Sequence, residues 1–469
     1  MTLTALTVTK VLPRRLWWWG RVLLLVALAT FYVAGATEHA RTVNDFKARA
    51  DQSAYLWDAG HVYDNWHGRT PEMLIGQRMR MTVYPAFLAL FYVPGRDPQE
   101  FFDVAKTWNI RLSVVLLAVL AVVFARSLPP LLSMNLTLIV AFGYFVFRAG
   151  YSQPELLFYF LFFLAFLGAW HLLVGRDPVR DVWLGAITGV LAGLAHLTKG
   201  VVPPFMVLLA AALALKAVAR FARSPEQPAG ARVRRLAWRL ASVGMMALCF
   251  LAVVYPYISN SKRVFGEYFF NVNTAYYIWY DNGADARGAI LPHTDPEGRI
   301  DIPRSQLPKI RQYWRHHTLG QIAGRLANGF QDMLVRSYRT FWYLKYVTLY
   351  LCLGALLIGF NRRAFAQLVR QHAVLAVFLV VYAAVYSTSI ALFCVTSDTG
   401  TTRFLEAHLA PLLFVLSCLF DRAPFSETRW NISGLTTTVT HIHALVFVTL
   451  MLDVVFTIWP RLMTTYGGF

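Results

Sequence analysis

Long apolar segments alternate with short polar ones along most of this chain. A helix needs about 20 predominantly apolar residues to cross a bilayer, and the chain holds about eleven segments of that kind. This pattern predicts an all-α polytopic membrane protein whose spans cover residues 17–36, 109–125, 130–147, 156–173, 182–197, 203–218, 240–257, 342–360, 374–395, 404–420 and 443–459.

The polar segments predict how the spans are oriented. Lys10, Arg14 and Arg15 precede the first span, and positively charged residues favour the cytoplasmic side. By parity, the arginine-rich loop 220–239 falls on that same side. The two longest polar segments then face outward. We therefore divide the chain into a membrane module at 1–260 that includes the first outward loop at 37–108, a second outward loop with interfacial helices at 261–341, and a C-terminal membrane module at 342–469.

Composition supports this class of protein. The chain of 469 residues is 57% hydrophobic and 15% charged, whereas soluble domains are about 25% charged. A net charge of +19 would suggest nucleic-acid binding in a soluble protein. Here the arginines lie in short loops between spans, where they set topology and meet anionic lipid. We therefore expect membrane lipids as partners and no nucleic acid. The four cysteines are scattered through apolar runs, so neither disulfides nor a zinc site is predicted.

The first outward loop is rich in acids, bases and aromatics. We predict an amphipathic helix over residues 45–63 that lies on the membrane surface, with Asp51 and Asp58 on one face because seven residues make about two turns. The apolar face of this helix is predicted to comprise Phe46, Ala50, Ala54, Trp57 and His61. Carboxylates at this depth could act on a lipid headgroup.

A second pattern predicts close helix contact. Gly185, Gly189 and Gly193 recur every four residues in the fifth span. Small residues at this spacing let two membrane helices approach closely. We therefore expect a structural role for this stripe.

Charged residues recur at the predicted outer ends of the spans. Each one alone is explained by a side chain that extends to the interface or by an ion pair. Ionisable groups at this depth are costly unless they are paired or used, and these come from distant parts of the chain. Together they predict an outward cavity for a phosphate-bearing substrate with a carboxylate base nearby. The residues are Asp45, Asp51, Arg148, Glu155, Lys199, Lys262, Arg263, Asp398, Arg403 and Glu406.

The order of these features resembles a known superfamily. Asp51-Gln-Ser-Ala-Tyr55 lies in the acidic first loop and Tyr84-Pro85 precedes an apolar stretch. Residues 148–155 open a span, and the runs at 193–199 and 402–411 follow. This order resembles the GT-C glycosyltransferases, and most closely the bacterial aminoarabinose transferases and protein mannosyltransferases. The run Arg80-Met-Thr-Val-Tyr-Pro85 replaces a Glu-Lys-Pro-Pro-like run of the aminoarabinose transferases.

The resemblance implies transfer of a sugar from a polyprenyl-phosphate donor at the outer face of a bacterial inner membrane. The acceptor would be a lipid, glycan or protein hydroxyl. A first-loop aspartate would act as the general base of an inverting reaction. The context Asp-x-x-x-Tyr assigns that role to Asp51, with Asp45 as the second candidate. A carboxylate within hydrogen-bond reach can accept the proton that the acceptor hydroxyl loses. We expect the protein to act as a monomer.

The leaving lipid phosphate needs positive charge. The candidates that would bind this phosphate are Lys199, Arg403, Arg148 and Arg80, and Arg78 lies close to Arg80 in the sequence. The further candidates for substrate contacts are Glu155, Tyr55, Tyr84 and Glu406. These cations make a metal ion unnecessary, although Mg²⁺ bridging Asp45 and Asp51 is an alternative because hard cations prefer carboxylate oxygens.

Two other functions are compatible with the sequence. A transporter or flippase of lipid-linked sugars would show internal repeats and interrupted helices in corresponding halves, and we find neither. A polysaccharide polymerase or ligase would use similar donors and differ in the length of its product.

Overall fold

The computed structural model describes residues 14–48, 51–69, 81–222, 226, 228–265, 268–269, 278–293, 310–340, 344–394, 401–432 and 435–464. Helices account for nearly all of the regular structure in these ranges. In chain order they are α1 (Arg14–Thr42), α2 (Asp51–Trp66), α3 (Val83–Ala89), α4 (Pro98–Ser127), α5 (Pro130–Ala149), α6 (Glu155–Val174), α7 (Pro178–Thr198), α8 (Pro203–Ala222), α9 (Ala229–Phe265), α10 (Gly283–Ile290), α11 (Ile310–His316), α12 (Leu319–Thr340), α13 (Leu344–Phe360), α14 (Arg362–Gln371), α15 (Ala373–Cys394), α16 (Thr401–Phe420) and α17 (Val439–Leu462).

The helices confirm a multi-pass membrane protein. Within the described ranges, ten helices are long and apolar enough to cross a bilayer, and an eleventh span is obtained if α13 and α14 are counted together. These two helices are separated by a bend of 101°. Over the described residues, the structure therefore supports ten spans, or at most the eleven that the sequence predicts. Helix α13 has 17 residues, which gives a length of about 26 Å and falls short of a typical hydrocarbon core.

One hairpin departs from the helical pattern. Strands β1 (Arg429–Ile432) and β2 (Leu435–Thr438) form a small antiparallel hairpin between α16 and α17. The run Leu-Thr-Thr-Thr of β2 is rich in β-branched residues, which favour strands. Asn361, between α13 and α14, donates a hydrogen bond of 2.9 Å to Thr428 Oγ1 beside this hairpin. The hairpin therefore packs where the chain bends away from α13.

Helix α6 lies at the centre of the bundle. It contacts α4, α7, α8, α15 and α16, and its apolar residues cover every face, as expected for a helix surrounded by others. Its buried side chains include Phe158, Phe162, Phe163 and Phe166. The central position of α6 places its first residue, Glu155, in the middle of one end of the bundle. We call this the site end: α6 and α16 begin there, and α7 and α15 finish there.

The glycine stripe of α7 confirms the predicted close contact. A Cβ atom added at Gly185 would lie 2.5 Å from the carbonyl oxygen of Ser242, and one added at Gly189 would lie 2.2 Å from that of Met246. At Gly193 the nearest atom would be a Val253 side-chain carbon at 2.8 Å. Helices α7 and α9 therefore touch backbone to backbone along this stripe.

The first loop is helical over a different range than predicted, with a partly different buried face. Helix α2 begins at Asp51 rather than residue 45, because residues 43–47 form a bend in which Lys47 has a φ of 36°. The buried face holds Gln52, Tyr55, Ala59 and Val62, while Phe46 is exposed. The predicted apolar face was therefore only partly correct: Ala54 is buried, Trp57 and His61 are half-buried, and Ala50 lies outside the described residues. Asp58 is buried as well. The buried face packs against α3 and the start of α4, which sequence periodicity alone could not locate.

The second loop agrees better with the prediction. The sequence predicts interfacial helices in the loop 261–341, most clearly over residues 307–338. Within the described part of that range the structure has α11 and α12, separated at His317 and Thr318. The backbone N–H of Thr318 donates to Gln321 Oε1 at 2.8 Å, and the N–H of Gln321 donates back to Thr318 Oγ1 at 3.3 Å. This reciprocal pair satisfies backbone donors that the first turn of α12 leaves free.

We expect Gly189→Ala to destabilise the bundle. The added methyl group cannot avoid the Met246 carbonyl oxygen 2.2 Å away, and overpacking of this kind costs about 1–3 kcal/mol. The apparent Tm of the purified protein should fall. The matched control is Gly244→Ala in α9, where a Cβ atom meets nothing within 4 Å. Equal Tm values for the two variants would contradict the contact.

Candidate functional site

Ionisable side chains from five parts of the chain meet at the site end. We call them the charge cluster: Asp51, Arg148, Glu155, Lys199, Arg403 and Glu406. All were candidate site residues from the sequence. They are supplied by the first residue of α2, the end of α5, the first residue of α6, the residue after α7, and the first turns of α16.

Arg403 joins the accessible part of the cluster to the buried part. Its Nη1 lies 2.8 Å from Asp51 Oδ2 and 3.4 Å from Glu155 Oε1. The Asp51 side chain is 40% exposed, whereas that of Glu155 is 2% exposed. Asp51 is therefore the carboxylate of the cluster that an external molecule can reach.

Glu155 is held by two cations. Lys199 Nζ donates a hydrogen bond of 2.9 Å to Glu155 Oε1, the same oxygen that Arg403 approaches. As the first residue of α6, Glu155 also lies at the positive end of a helix dipole, which favours a carboxylate. Burial lowers the pKa of Lys199, and the nearby Glu155 opposes that shift. Lys199 also lies 4.5 Å from the centre of the Phe404 ring, so its ammonium group is fixed on two sides.

A fully buried ion pair lies behind these residues. Arg148 donates two hydrogen bonds to Glu406, from Nε to Oε2 at 3.1 Å and from Nη2 to Oε1 at 3.0 Å. The exposed fractions of the two side chains are 2% and 0%. The Tyr159 hydroxyl lies 2.8 Å from Glu406 Oε2 and 2.6 Å from the Arg403 carbonyl oxygen. This bidentate pair joins α5 to α16, and Tyr159 connects it to the backbone of Arg403.

Neutral polar residues position the turn that leads to Glu155. Asn109 of α4 donates to the carbonyl oxygens of Ala149 and Tyr151 at 3.0 and 2.8 Å. Gln52, next to Asp51, accepts a hydrogen bond of 3.0 Å from the backbone N–H of Ser152. Sequence reasoning missed Asn109, Gln52 and Tyr159. The only available signal was their polarity within apolar surroundings, which does not identify a partner.

Tyr55 of α2 and Tyr84 of α3 pack against each other beside the charge cluster. Their rings meet edge to face at 5.5 Å, and both are buried in a small apolar cluster. The Tyr84 hydroxyl donates to Asn109 Oδ1 at 3.2 Å, and burial raises the pKa of this phenol. Through these contacts the two tyrosines support α2, and with it Asp51.

Other candidates from the sequence are placed elsewhere. Asp45 has an exposed side chain in the bend before α2, and its carbonyl oxygen accepts a hydrogen bond of 3.1 Å from Gln99. Arg263 donates to Asn260 Oδ1 within α9, at 2.8 Å from Nη2, and Lys262 lies 5.4 Å from the centre of the Tyr268 ring. Arg78, Arg80 and Asp398 lie outside the described residues.

The charge cluster does not fit a divalent cation. Each of its carboxylates already faces a cation: Asp51 and Glu155 face Arg403, and Glu406 faces Arg148. Across the described ranges, no three His, Cys, Asp or Glu side chains lie close enough together to hold a metal ion.

Two atoms of the cluster are poised for further hydrogen bonds. Glu155 Oε2 and Arg403 Nε are buried and have no hydrogen-bond partner among the described residues. Buried polar atoms of this kind are normally satisfied by protein, water or ligand. The site thus combines a reachable carboxylate, two partly buried cations and additional hydrogen-bonding capacity. Such a site can accept a proton and stabilise a developing anion.

Comparisons with known proteins add no relative: no family model, no curated protein and no solved structure matches the chain.

We expect Glu406→Gln to destabilise the protein strongly. Arg148 would keep its charge in a buried site but lose the carboxylate that it contacts directly, and breaking a buried ion pair in this way costs about 3–5 kcal/mol. The double variant Arg148→Met/Glu406→Leu removes both charges and should recover much of the loss. Apparent Tm values in one lipid or detergent system measure both effects. A single variant as stable as the parent would contradict the buried ion pair.

Proposed function

We propose that this protein is a GT-C-type glycosyltransferase that moves a sugar from a polyprenyl-phosphate donor to an acceptor hydroxyl. The observation that carries the proposal is the geometry of the charge cluster: a reachable carboxylate, Asp51, is fixed by Arg403 beside Lys199 at one end of an apolar bundle. Transfer of a sugar from a lipid-linked phosphate to a hydroxyl requires a proton acceptor for the hydroxyl and cations for the departing phosphate, both at the edge of a membrane. The order of motifs that resembles the GT-C superfamily adds independent support.

Asp51 acts as the general base in this proposal. The acceptor hydroxyl oxygen attacks the anomeric carbon and its proton passes to an Asp51 carboxylate oxygen. The bond between the anomeric carbon and the phosphate oxygen breaks, and its electron pair stays on the polyprenyl phosphate. Attack from the face opposite the leaving group inverts the anomeric configuration. The 40% exposure of the Asp51 side chain leaves room for an acceptor.

Arg403 and Lys199 stabilise the leaving phosphate. Both cations are partly exposed, at 19% and 14% of their side chains, whereas Arg148 is buried behind them. Charge-assisted hydrogen bonds from such donors are well suited to phosphate oxygens. When Asp51 takes up the proton it loses its negative charge, and Arg403 is then released to face the phosphate. Proton transfer and departure of the phosphate are coupled through this one guanidinium.

The proposed location is the outer face of a bacterial inner membrane. Basic residues collect at the end of the bundle opposite the charge cluster. Arg176 precedes α7, Arg180 lies in its first turn, and Arg220 lies in the last turn of α8. Positively charged ends of spans favour the cytoplasm. The site end would then face outward, where lipid-linked sugars are used as donors.

The arrangement favours an enzyme over a flippase. Transporter sites lie near the middle of the bilayer, at interrupted helices. In this protein the charge cluster lies at the ends of α5, α6, α7 and α16. That placement suits chemistry on a headgroup better than passage across the membrane.

We expect Asp51→Asn to abolish transfer while donor binding persists. The amide keeps the shape of the side chain but cannot accept the acceptor's proton, and general base catalysis typically contributes about 10²–10⁴-fold in rate. Transfer is measured with purified protein and a panel of polyprenyl-phosphate sugars. The matched control is Asp45→Asn in the same loop, which should retain activity. Full activity in Asp51→Asn would overturn the assignment of the base.

We expect Lys199→Met and Arg403→Met to weaken donor binding. Each removes a cation that the proposal places on the lipid phosphate, and one charged hydrogen bond contributes about 1.5–3 kcal/mol, or roughly 10–100-fold in Kd. Lys199→Arg keeps the charge and should restore part of the affinity. Arg96→Met, which alters an exposed pair with Glu100, is the control. Unchanged donor affinity with normal folded yield would show that these cations only hold helices together.

A further inference from the structure

A second polar site lies at the site end of the bundle, in the second loop. An open pocket of about 350 Å³ is lined by Asp281, His317, Gln321, Gly324, Arg325 and Asn328. Four of these residues are on α12, at the spacing that forms one stripe along a helix. None belongs to the charge cluster. The pocket therefore requires its own explanation.

The pocket is fixed to the same end of the bundle as the charge cluster. Arg325 donates from Nη2 to the carbonyl oxygens of Ile278 at 2.7 Å and of Leu392, near the end of α15, at 3.2 Å. A Cβ atom at Gly329 would lie 2.1 Å from the Ala391 carbonyl oxygen, so α12 touches α15 backbone to backbone. Met333 of α12 shares a buried cluster whose border includes Phe404, the residue after Arg403. Helix α12 thus connects the pocket to the first turn of α16.

A fixed network orients the carboxylate in the pocket. His317 Nε2 lies 2.8 Å from Asp281 Oδ2, and its Nδ1 lies 2.8 Å from the Tyr313 carbonyl oxygen. Because both ring nitrogens face acceptors, both carry protons in the favoured form. The hydrogen bond to Asp281 raises the pKa of His317 accordingly. Arg325 Nη1 lies 3.7 Å from Asp281 Oδ1, so two cations hold this carboxylate.

The charges of the pocket disfavour an ionic ligand. His317 and Arg325 both face Asp281, so an anion would have to compete with this carboxylate for them and would be repelled by its negative charge. A cation would meet the guanidinium of Arg325 and, when the ring is protonated, the imidazole of His317. The remaining lining groups are the amides of Gln321 and Asn328, which both donate and accept hydrogen bonds. Mixed donors and acceptors around an oriented carboxylate suit a neutral ligand that carries several hydroxyl groups.

The pocket also has space for such a ligand. A Cβ atom at Gly324 would meet nothing within 4 Å, so the helix backbone forms an open floor there. A glycine within a helix costs about 1 kcal/mol relative to alanine. Space at this position is consistent with a ligand that lies close to the helix.

We propose that this pocket binds a neutral sugar unit of the acceptor, which makes the acceptor a glycan or a glycolipid. Binding of the sugar follows from the pocket itself, whereas its role as acceptor rests on the proposed function. The pocket holds the acceptor at the site end, and a hydroxyl of the same molecule reaches Asp51. Helix α12 would then carry acceptor specificity, separate from the donor contacts of Lys199 and Arg403.

The test is saturation-transfer NMR on the full-length protein in lipid nanodiscs, without sugar-headgroup detergents that would occupy the pocket. The probes are neutral disaccharides (maltose, lactose and mannobiose), with glucuronic acid and glucose 1-phosphate as charged comparisons. We expect saturation transfer to at least one neutral disaccharide. Gly324→Trp should abolish it by filling the pocket, and Asn328→Ala should weaken binding by about fivefold to tenfold through loss of one hydrogen bond. Gly320→Trp, one turn earlier on α12, should leave the signal unchanged.

The outcomes separate this inference from the proposed function. Saturation transfer that persists in Gly324→Trp, or that occurs only with the charged probes, would overturn the neutral-sugar pocket, and so would no transfer to any disaccharide. Donor binding measured on the same samples reports on the charge cluster independently. A protein that binds the disaccharide but transfers no sugar would retain the pocket and refute its role in glycosyl transfer.

Discussion

The structure depends on the requirement that charges buried in an apolar bundle must be paired. Arg148 and Glu406 are enclosed by helices, and each would be strongly unfavourable without the other. Their bidentate contact joins residues 258 positions apart in the chain. This pair fixes α5 against α16 and thereby determines where Arg403 can reach. The accessible half of the charge cluster is thus built on a buried half that holds it in place.

Arg403 carries the functional consequence of this pairing. Its Nη1 faces both Asp51 and Glu155, and Lys199 shares the same Glu155 oxygen. The arrangement gives Asp51 a fixed orientation without enclosing it. An oriented carboxylate that stays reachable is what the proposed transfer reaction would use as its base.

The sequence predicted most membrane-spanning helices well, but it predicted few of the side-chain contacts between them. Hydropathy located most spans, and the stripe Gly185, Gly189, Gly193 identified a close contact because each of these depends on local spacing. Predicted depth in the membrane also grouped ten charges, of which six meet in the charge cluster, whereas Asp45, Lys262 and Arg263 lie elsewhere. The partners of each charge, the role of Tyr159 and the buried face of α2 depend on helices far apart in the chain. Pairing of this kind follows from the packed bundle, and one sequence carries no signal for it.

The most direct test of this account is sugar transfer by the purified protein in nanodiscs, with a polyprenyl-phosphate sugar and a glycan acceptor, analysed by NMR of the product. The account predicts one glycosidic bond of inverted anomeric configuration for each polyprenyl phosphate released, with no nucleotide or other co-substrate. Absence of transfer with every donor, while the protein moves lipid-linked sugars between the leaflets of vesicles, would contradict it.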